Sequence, residues 1–241
     1  TRLQGDWSSD VCSSDLLAEA VYGLPEIYRD EIAKARLVAN PGCYPTCALL
    51  ALKPLLQAGV ISTEGIVVDA VSGVSGAGRK ADLAYSFCEQ DASFKAYGVI
   101  GHRHTSEIEQ GAGFLAGLPQ PPLVTFTPHL APMKRGMLAT VYADLLPGTD
   151  ASTLQEIFAQ AYKEEPFIRF LSGGQLPETR SVLGTNYADL SVFPDGRTNK
   201  VKILSAIDNL GKGAAGQAVQ ALNLMAGLKE TSGLEIPGFA I

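Results

Sequence analysis

VKILSAIDNLGKGAAGQAVQALNLMAGL, residues 201–228, poses the choice on which the fold turns. Its GKGAAG (211–216) fits G-x-G-x-x-G, follows a strand-like run and opens a helix-like one. Read alone, it specifies a doubly wound dinucleotide-binding sheet. That fingerprint belongs to the first β–α–β unit and needs several strands after it. Only 25 residues follow Gly216, so the literal reading is rejected. A glycine-rich backbone at a helix start remains, able to meet part of a cofactor.

Working outward, NYADLSVFPDGRTNKVKILSAIDN (186–209) reads as a hairpin turning at Pro-Asp-Gly. GIVVDAVSG (65–73) is continuously apolar, the pattern of a buried strand, and MLATVYADLL (137–146) alternates like a strand. PPLVTFTPHLAPMKRG (121–136) is broken by four prolines into strand and loop. ARLVAN (35–40) reads as a strand end. Helices are predicted over 25–35, 46–57, 105–116, 152–165 and 213–228. Pro54 is expected to kink or end the second, and Thr105 or Ser106 to cap the third. STLQEIFAQAYKEE (152–165) places Leu154, Ile157, Phe158, Ala161 and Tyr162 on one face. Hairpin-joined strands with long helices predict an α+β layer sandwich.

Composition sets outer bounds. With 46% hydrophobic and 18% charged residues the chain has the makings of a core. A formal net charge of -6 argues against a nucleic-acid surface. No apolar stretch approaches the roughly 18 residues that span a bilayer, and the N-terminus lacks a secretory pattern. Cys12, Cys43, Cys47 and Cys88 show no disulfide-framework spacing, so a cytoplasmic location is expected. TRLQGDWSSDVCSSDL (1–16) has no helix or strand period and resembles a translated sequencing adapter; the alternative is a disordered natural tail. It is set aside, with Trp7 and Cys12.

The chemistry gathers first in ANPGCYPTCALLALKPLL (39–56). Cys43 lies behind Asn-Pro-Gly and ahead of an apolar helical run. Free N–H groups and the positive end of a helix dipole stabilise a thiolate there. Gly42 permits close backbone approach, and Pro41 and Pro45 stiffen both sides. Cys43 is therefore the expected nucleophile, held ionised. Cys47 is expected to pack in the core, because no second ligand pair of zinc spacing exists and no metal is implied. In YGVIGHRHTSEIEQ (97–110), His102 and His104 fall on one side of an extended segment with Arg103 on the other. Either imidazole can exchange protons with a thiol. Glu107 and Glu109 lie nearby at no spacing typical of a metal site. SGVSGAGR (72–79) is glycine-rich with an adjacent cation, as suits phosphate.

In this order the chain resembles the N-acetyl-gamma-glutamyl-phosphate reductase family. The likeness rests on YGLPE (22–26), ARLVANPGCYPT (35–46), VSGVSGAG (71–78), HRHTSEIEQ (102–110), FTPHLAPMKRG (126–136), EPFIR (165–169) and AIDNLGKGAAGQAVQALN (206–223). It runs from about Leu17 to Ile241. Ser106 departs from the family's usual Pro. The resemblance implies a mixed, largely antiparallel sheet with helices on one face, of the semialdehyde dehydrogenase catalytic and dimerisation type. It implies an NADPH-dependent reduction of an acyl phosphate to an aldehyde through a Cys43 thioester. His102 would be the acid/base, with His104 as second choice. Arg103, Arg135 and Tyr97 would bind substrate, with Arg79 a further clamp. Ser72, Gly73, Ser75, Gly76, Asn209 and Gly213 would meet NADP.

The expected organisation is a non-native tail (1–16), a remnant of a Rossmann domain (17–42), the catalytic domain (43–212) and a C-terminal helix with its tail (213–241). The resemblance therefore implies a truncated product that binds NADPH poorly, and a homo-oligomer when full length. An aspartate-semialdehyde-dehydrogenase-like reductase, a cofactor-free cysteine hydrolase or acyltransferase, and an inert folded fragment are the competing readings.

Overall fold

The computed structural model describes residues 18–78 and 82–238. The adapter-like stretch, with Trp7 and Cys12, lies outside the described residues, as does Arg79.

The first strands among the described residues are β1 (Val21–Tyr22) and β2 (Val38–Ala39), short and parallel, bridged by α1 (Pro25–Ile32). Parallel neighbours need such a crossover. Pro25 starts α1 at a position where its missing N–H is no loss.

α2 (Cys43–Ala58) follows at once. It is buried nearly all round: Leu49, Leu50, Leu52 and Leu55 are each fully enclosed, worth about 1.5–3 kcal/mol apiece. Gly59 in the left-handed region ends it, where only glycine sits without strain. Pro54 does not end α2, which continues past it to Ala58. Proline at 54 removes the bond that Leu50's carbonyl would accept. The hydroxyl of Tyr162, which caps the C-terminus of the neighbouring α5 (Ala151–Ala161), donates to that carbonyl instead.

Among the described residues the main sheet has seven strands. In chain order they are β3 (Ile66–Gly73), β4 (Lys95–Ala96), β5 (Val124–Ala131), β6 (Met137–Asp144), β7 (Ile168–Phe170), β8 (Ala188–Asp195) and β9 (Lys200–Ile207). Their spatial order is β4-β5-β3-β6-β9-β8-β7. β3–β5 and β7–β8 are parallel; the other four pairings are antiparallel. The sheet is therefore mixed and largely antiparallel. β8 and β9 form the expected hairpin, its turn closed by Asp195, which accepts the Arg197 N–H at 3.1 Å.

One face of the sheet carries the core. Alternate residues Met137, Ala139, Val141 and Ala143 of β6 are buried, and their neighbours Leu138, Thr140, Tyr142 and Asp144 are not. α2 lies on the buried face, flanked by α4 (Arg103–Leu115) and α5; the four-residue α3 (Phe87–Gln90) precedes α4. Cys47 confirms this packing: its Sγ donates to the Ser205 carbonyl of β9 at 3.1 Å, within the core as expected.

The remaining elements are α6 (Thr179–Val182), which precedes β8, and, after β9, a π-turn over Gly211–Ala215 and α7 (Gly216–Met225). The helix expected from residue 213 thus begins three residues later. The π-turn is defined by bonds five residues back, Gly213 N–H to the Asp208 carbonyl (2.9 Å) and Ala215 N–H to the Leu210 carbonyl (3.0 Å).

Candidate active site

Cys43 is the first residue of α2, with Gly42 extended as the N-cap. Thr46 closes the first turn onto Gly42: its N–H and its hydroxyl donate to the Gly42 carbonyl at 2.9 and 3.0 Å. The Gly42 N–H in turn donates to Glu107 Oε1 at 2.9 Å, and the same oxygen accepts from the Tyr22 hydroxyl at 2.7 Å. A carboxylate from α4 thus anchors the residue before the thiol.

Gly42 also explains the approach of a histidine. A Cβ at position 42 would overlap His104 Nε2 and lie 2.8 Å from its Cδ2 and Cε1. The His104 imidazole therefore fills the space left by the missing side chain. Its Nδ1 is buried with no hydrogen-bond partner.

His102 takes a different part. It, rather than Thr105 or Ser106, caps α4: its Nδ1 accepts the His104 N–H at 3.2 Å. An imidazole can do this because one ring nitrogen carries a free lone pair. The ring sits edge-on among Tyr97 (5.5 Å between centroids), Phe126 (5.3 Å), Tyr44 (5.8 Å) and His104 (5.0 Å). The Tyr97 hydroxyl donates to the Tyr44 hydroxyl at 3.2 Å, and the Tyr44 hydroxyl donates in turn to the His129 carbonyl, also at 3.2 Å. Arg103 occupies the first turn of α4, exposed to solvent.

Burial dominates the electrostatics. It pushes the Cys43 thiol up to about 11, against the pull of the Tyr44 and Cys43 N–H groups and of Arg103; Glu107 adds to the rise. Burial, followed by the His102 and Arg103 charges, brings His104 down to about 3. His102 is lowered by the same burial and by Arg103. The resting pair is thus neutral thiol and neutral imidazole. The expected resting thiolate is corrected: desolvation outweighs the helix terminus here.

On another side of Cys43 lies the π-turn. A Cβ at Gly213 would sit 2.8 Å from Cys43 Cβ. One at Gly211 would overlap the Thr185 carbonyl, and one at Gly216 would overlap Asn186 Oδ1. The three glycines that mimic a dinucleotide fingerprint each sit where a side chain would clash, and Gly213 does so against the thiol-bearing residue itself.

The remaining residues marked in the sequence converge on the end of β3. Ser72 is fully buried and donates to the Gly73 carbonyl at 3.0 Å. Gly73 packs against the Arg135 backbone, and a side chain at Gly76 would run into Ser72 Oγ. Asn209 ties the cluster together: its Oδ1 accepts the Gly136 N–H (2.7 Å) and its Nδ2 donates to Ser75 Oγ (2.9 Å). The Arg135 guanidinium makes a two-pronged pair with buried Asp208, 3.0 Å through Nε and 2.7 Å through Nη2. Asp208 also accepts N–H bonds from Gly184, Leu210 and Gly211.

Over residues 43–209, from the thiol to this Asn209 clamp, the chain matches the semialdehyde dehydrogenase dimerisation domain. The chain belongs to the semialdehyde dehydrogenase family. Among its relatives, N-acetyl-gamma-glutamyl-phosphate reductase of Acetivibrio thermocellus is 57% identical over 93% of this chain and 64% of its own length. The reductase of the same name from Symbiobacterium thermophilum is 56% identical over 91% and 63%. The chain thus spans a little under two thirds of these relatives. Among solved structures, aspartate semialdehyde dehydrogenase II of Vibrio cholerae superposes with a TM-score of 0.67 at 21% identity, covering 87% of this chain and 69% of that one. That likeness establishes the shared semialdehyde dehydrogenase fold.

Two residues of this site carry no sequence mark of the part they play: Tyr44, and Glu107 in its anchoring role. Tyr44 and Glu107 stood in quoted motifs, but nothing local marks which partner each meets. Among the described residues no helix is long and apolar enough to cross a membrane.

Proposed function

We propose that this chain carries the catalytic part of an NADPH-dependent reductase that converts N-acetyl-gamma-glutamyl phosphate to the semialdehyde and phosphate. The observation that carries the reading is Cys43 at the start of α2, with the His104 ring lodged against Gly42 and Gly213 packed on the thiol's own Cβ. Relatives above 55% identity that bear that reductase name add to it.

The glycine-rich segments are proposed to meet a nicotinamide: Gly213 and Gly76 bring backbone directly against Cys43 and Ser72, which fill the space a Cβ would take. NADPH, when bound, supplies the hydride that takes the thioester to the aldehyde. Ser75, Gly76 and Gly213 are the residues proposed to hold it; Ser72, Gly73 and Asn209 shape their loop.

The chain's own chemistry begins with proton transfer. His104 is the better base, because its Nε2 faces the Cys43 turn while His102 Nδ1 is engaged in capping α4. A neutral imidazole has the lone pair to accept the thiol proton. The freed sulfur attacks the acyl carbon, the carbon–oxygen bond to phosphate breaks, and a thioester forms on Cys43. The Cys43 and Tyr44 N–H groups and Arg103 favour the sulfur's negative charge as it develops. Exposed Arg103 is positioned to meet the leaving phosphate, whereas Arg135 already serves Asp208. When sulfur is expelled at the end of the cycle, His104 returns its proton. We also propose that the half-exposed face of the sheet pairs two copies, in keeping with the dimerisation-domain match.

Loss of NADPH absorbance with N-acetyl-gamma-glutamyl phosphate tests the reading. Cys43→Ser should abolish turnover. His104→Gln should lower kcat by about 10²–10⁴-fold, and His102→Gln by less. Full turnover in a folded Cys43→Ser protein would refute the proposal.

A further inference from the structure

The π-turn that abuts Cys43 contains a lysine with no exposure at all. Lys212 Nζ lies 2.5 Å from Glu26 Oε1 and 2.7 Å from Gln220 Oε1. Glu26 comes from α1, at the other end of the described chain. Gln220, on α7, completes the arrangement: its Nε2 donates to Glu26 (3.2 Å) and to Glu230 (2.7 Å), and Asn186 donates to its Oε1 (2.9 Å).

Burying both charges is expensive, and two apolar residues of similar volume would often be at least as stable. What such a pair supplies is direction: two fixed partners hold one backbone position. That position matters here. The next residue, Gly213, packs on Cys43 Cβ, and the one after it, Ala214, accepts at its carbonyl from Asn40 Nδ2 at 3.3 Å. Both residues after Lys212 therefore touch the segment that presents the thiol. The turn between is a π-turn, a local strain often found at functional sites.

We propose that Lys212 is a positioning residue for Cys43: its buried pairing with Glu26 holds the π-turn against the nucleophile. The proposal rests on the reading of Cys43 as the reactive thiol. It is tested by the rate at which iodoacetamide modifies Cys43, followed by peptide mass spectrometry, a readout that does not need turnover. The variants are Lys212→Met and the double variant Glu26→Leu with Lys212→Met, each with its thermal midpoint measured. The double variant removes both charges and is therefore expected to fold with near wild-type stability.

If Lys212 positions the turn, Cys43 is alkylated roughly tenfold faster in both variants, the change expected of a loosened local segment, although the double variant melts near the wild-type temperature. Cys43 alkylation at the wild-type rate in the double variant would overturn the proposal, leaving the pair a purely structural one. Failure of the reductase reading shows separately, as turnover that persists in Cys43→Ser.

Discussion

Burial and the helix terminus pull the Cys43 thiol in opposite directions. The Cys43 and Tyr44 N–H groups and Arg103 favour the thiolate, and desolvation opposes them strongly enough to place the thiol near 11. An acid whose folded value lies above its usual 8.5 or so stays protonated through neutral pH and ionises only in alkali. Alkylation of Cys43 should therefore keep rising with pH beyond 9; a plateau reached below pH 7 would contradict this. Gly42 is the sharpest steric point. Gly42→Ala would drive a methyl into His104, which must move; overpacking of this kind costs about 1–3 kcal/mol. A lower thermal midpoint with slowed turnover is the expected result. That Cys43 and the His102–His104 pair come close together was legible, because a thiol between Pro-Gly and an apolar helix, and His-x-His ahead of another helix, are local patterns. That Glu107 anchors Gly42 was not, because the partners stand 65 positions apart with no periodic relation.

At the scale of elements, α2 shows how a rule that holds locally yields to its surroundings. Proline breaks a helix chiefly through the missing N–H and the carbonyl it orphans. Here the Tyr162 hydroxyl satisfies that carbonyl, so the helix continues. Tyr162→Phe should accordingly destabilise by about 1–3 kcal/mol, the penalty of an unpaired buried carbonyl. In a Pro54→Ala background the new N–H takes over the Leu50 carbonyl, and the loss should shrink. A double-mutant cycle from chemical denaturation checks this, with additive effects as the contrary result. The strands and long helices were legible from their apolar period, and the hairpin from Pro-Asp-Gly. The caps were less so: His102 caps α4 with a ring nitrogen, outside the usual Ser, Thr, Asp or Asn set. The G-x-G-x-x-G run follows β9, a strand antiparallel to both its neighbours, and so opens no doubly wound parallel sheet. Its actual use, backbone packing against Thr185, Cys43 and Asn186, depends on chain that comes together only in the folded state.

Across the whole molecule, charged networks join parts of the chain that the sequence separates widely. Arg29 of α1 pairs with Glu165 after α5 and with Glu230 beyond α7. Lys212 reaches Glu26 across 186 positions. These links set the β1–α1–β2 unit against the π-turn, and so frame the side of Cys43 where the nicotinamide is proposed to lie. The sheet leaves its opposite face half-exposed, in keeping with the dimerisation-domain match. The central claim concerns one covalent bond, and it is tested most directly without any cofactor. The chain is incubated with N-acetyl-gamma-glutamyl phosphate, quenched in acid and mapped by peptide mass spectrometry. The account predicts an N-acetylglutamyl adduct on Cys43, with phosphate released in equal amount and none on Cys47 or Cys88. A folded protein that gains no adduct on Cys43, or gains it elsewhere, would contradict it.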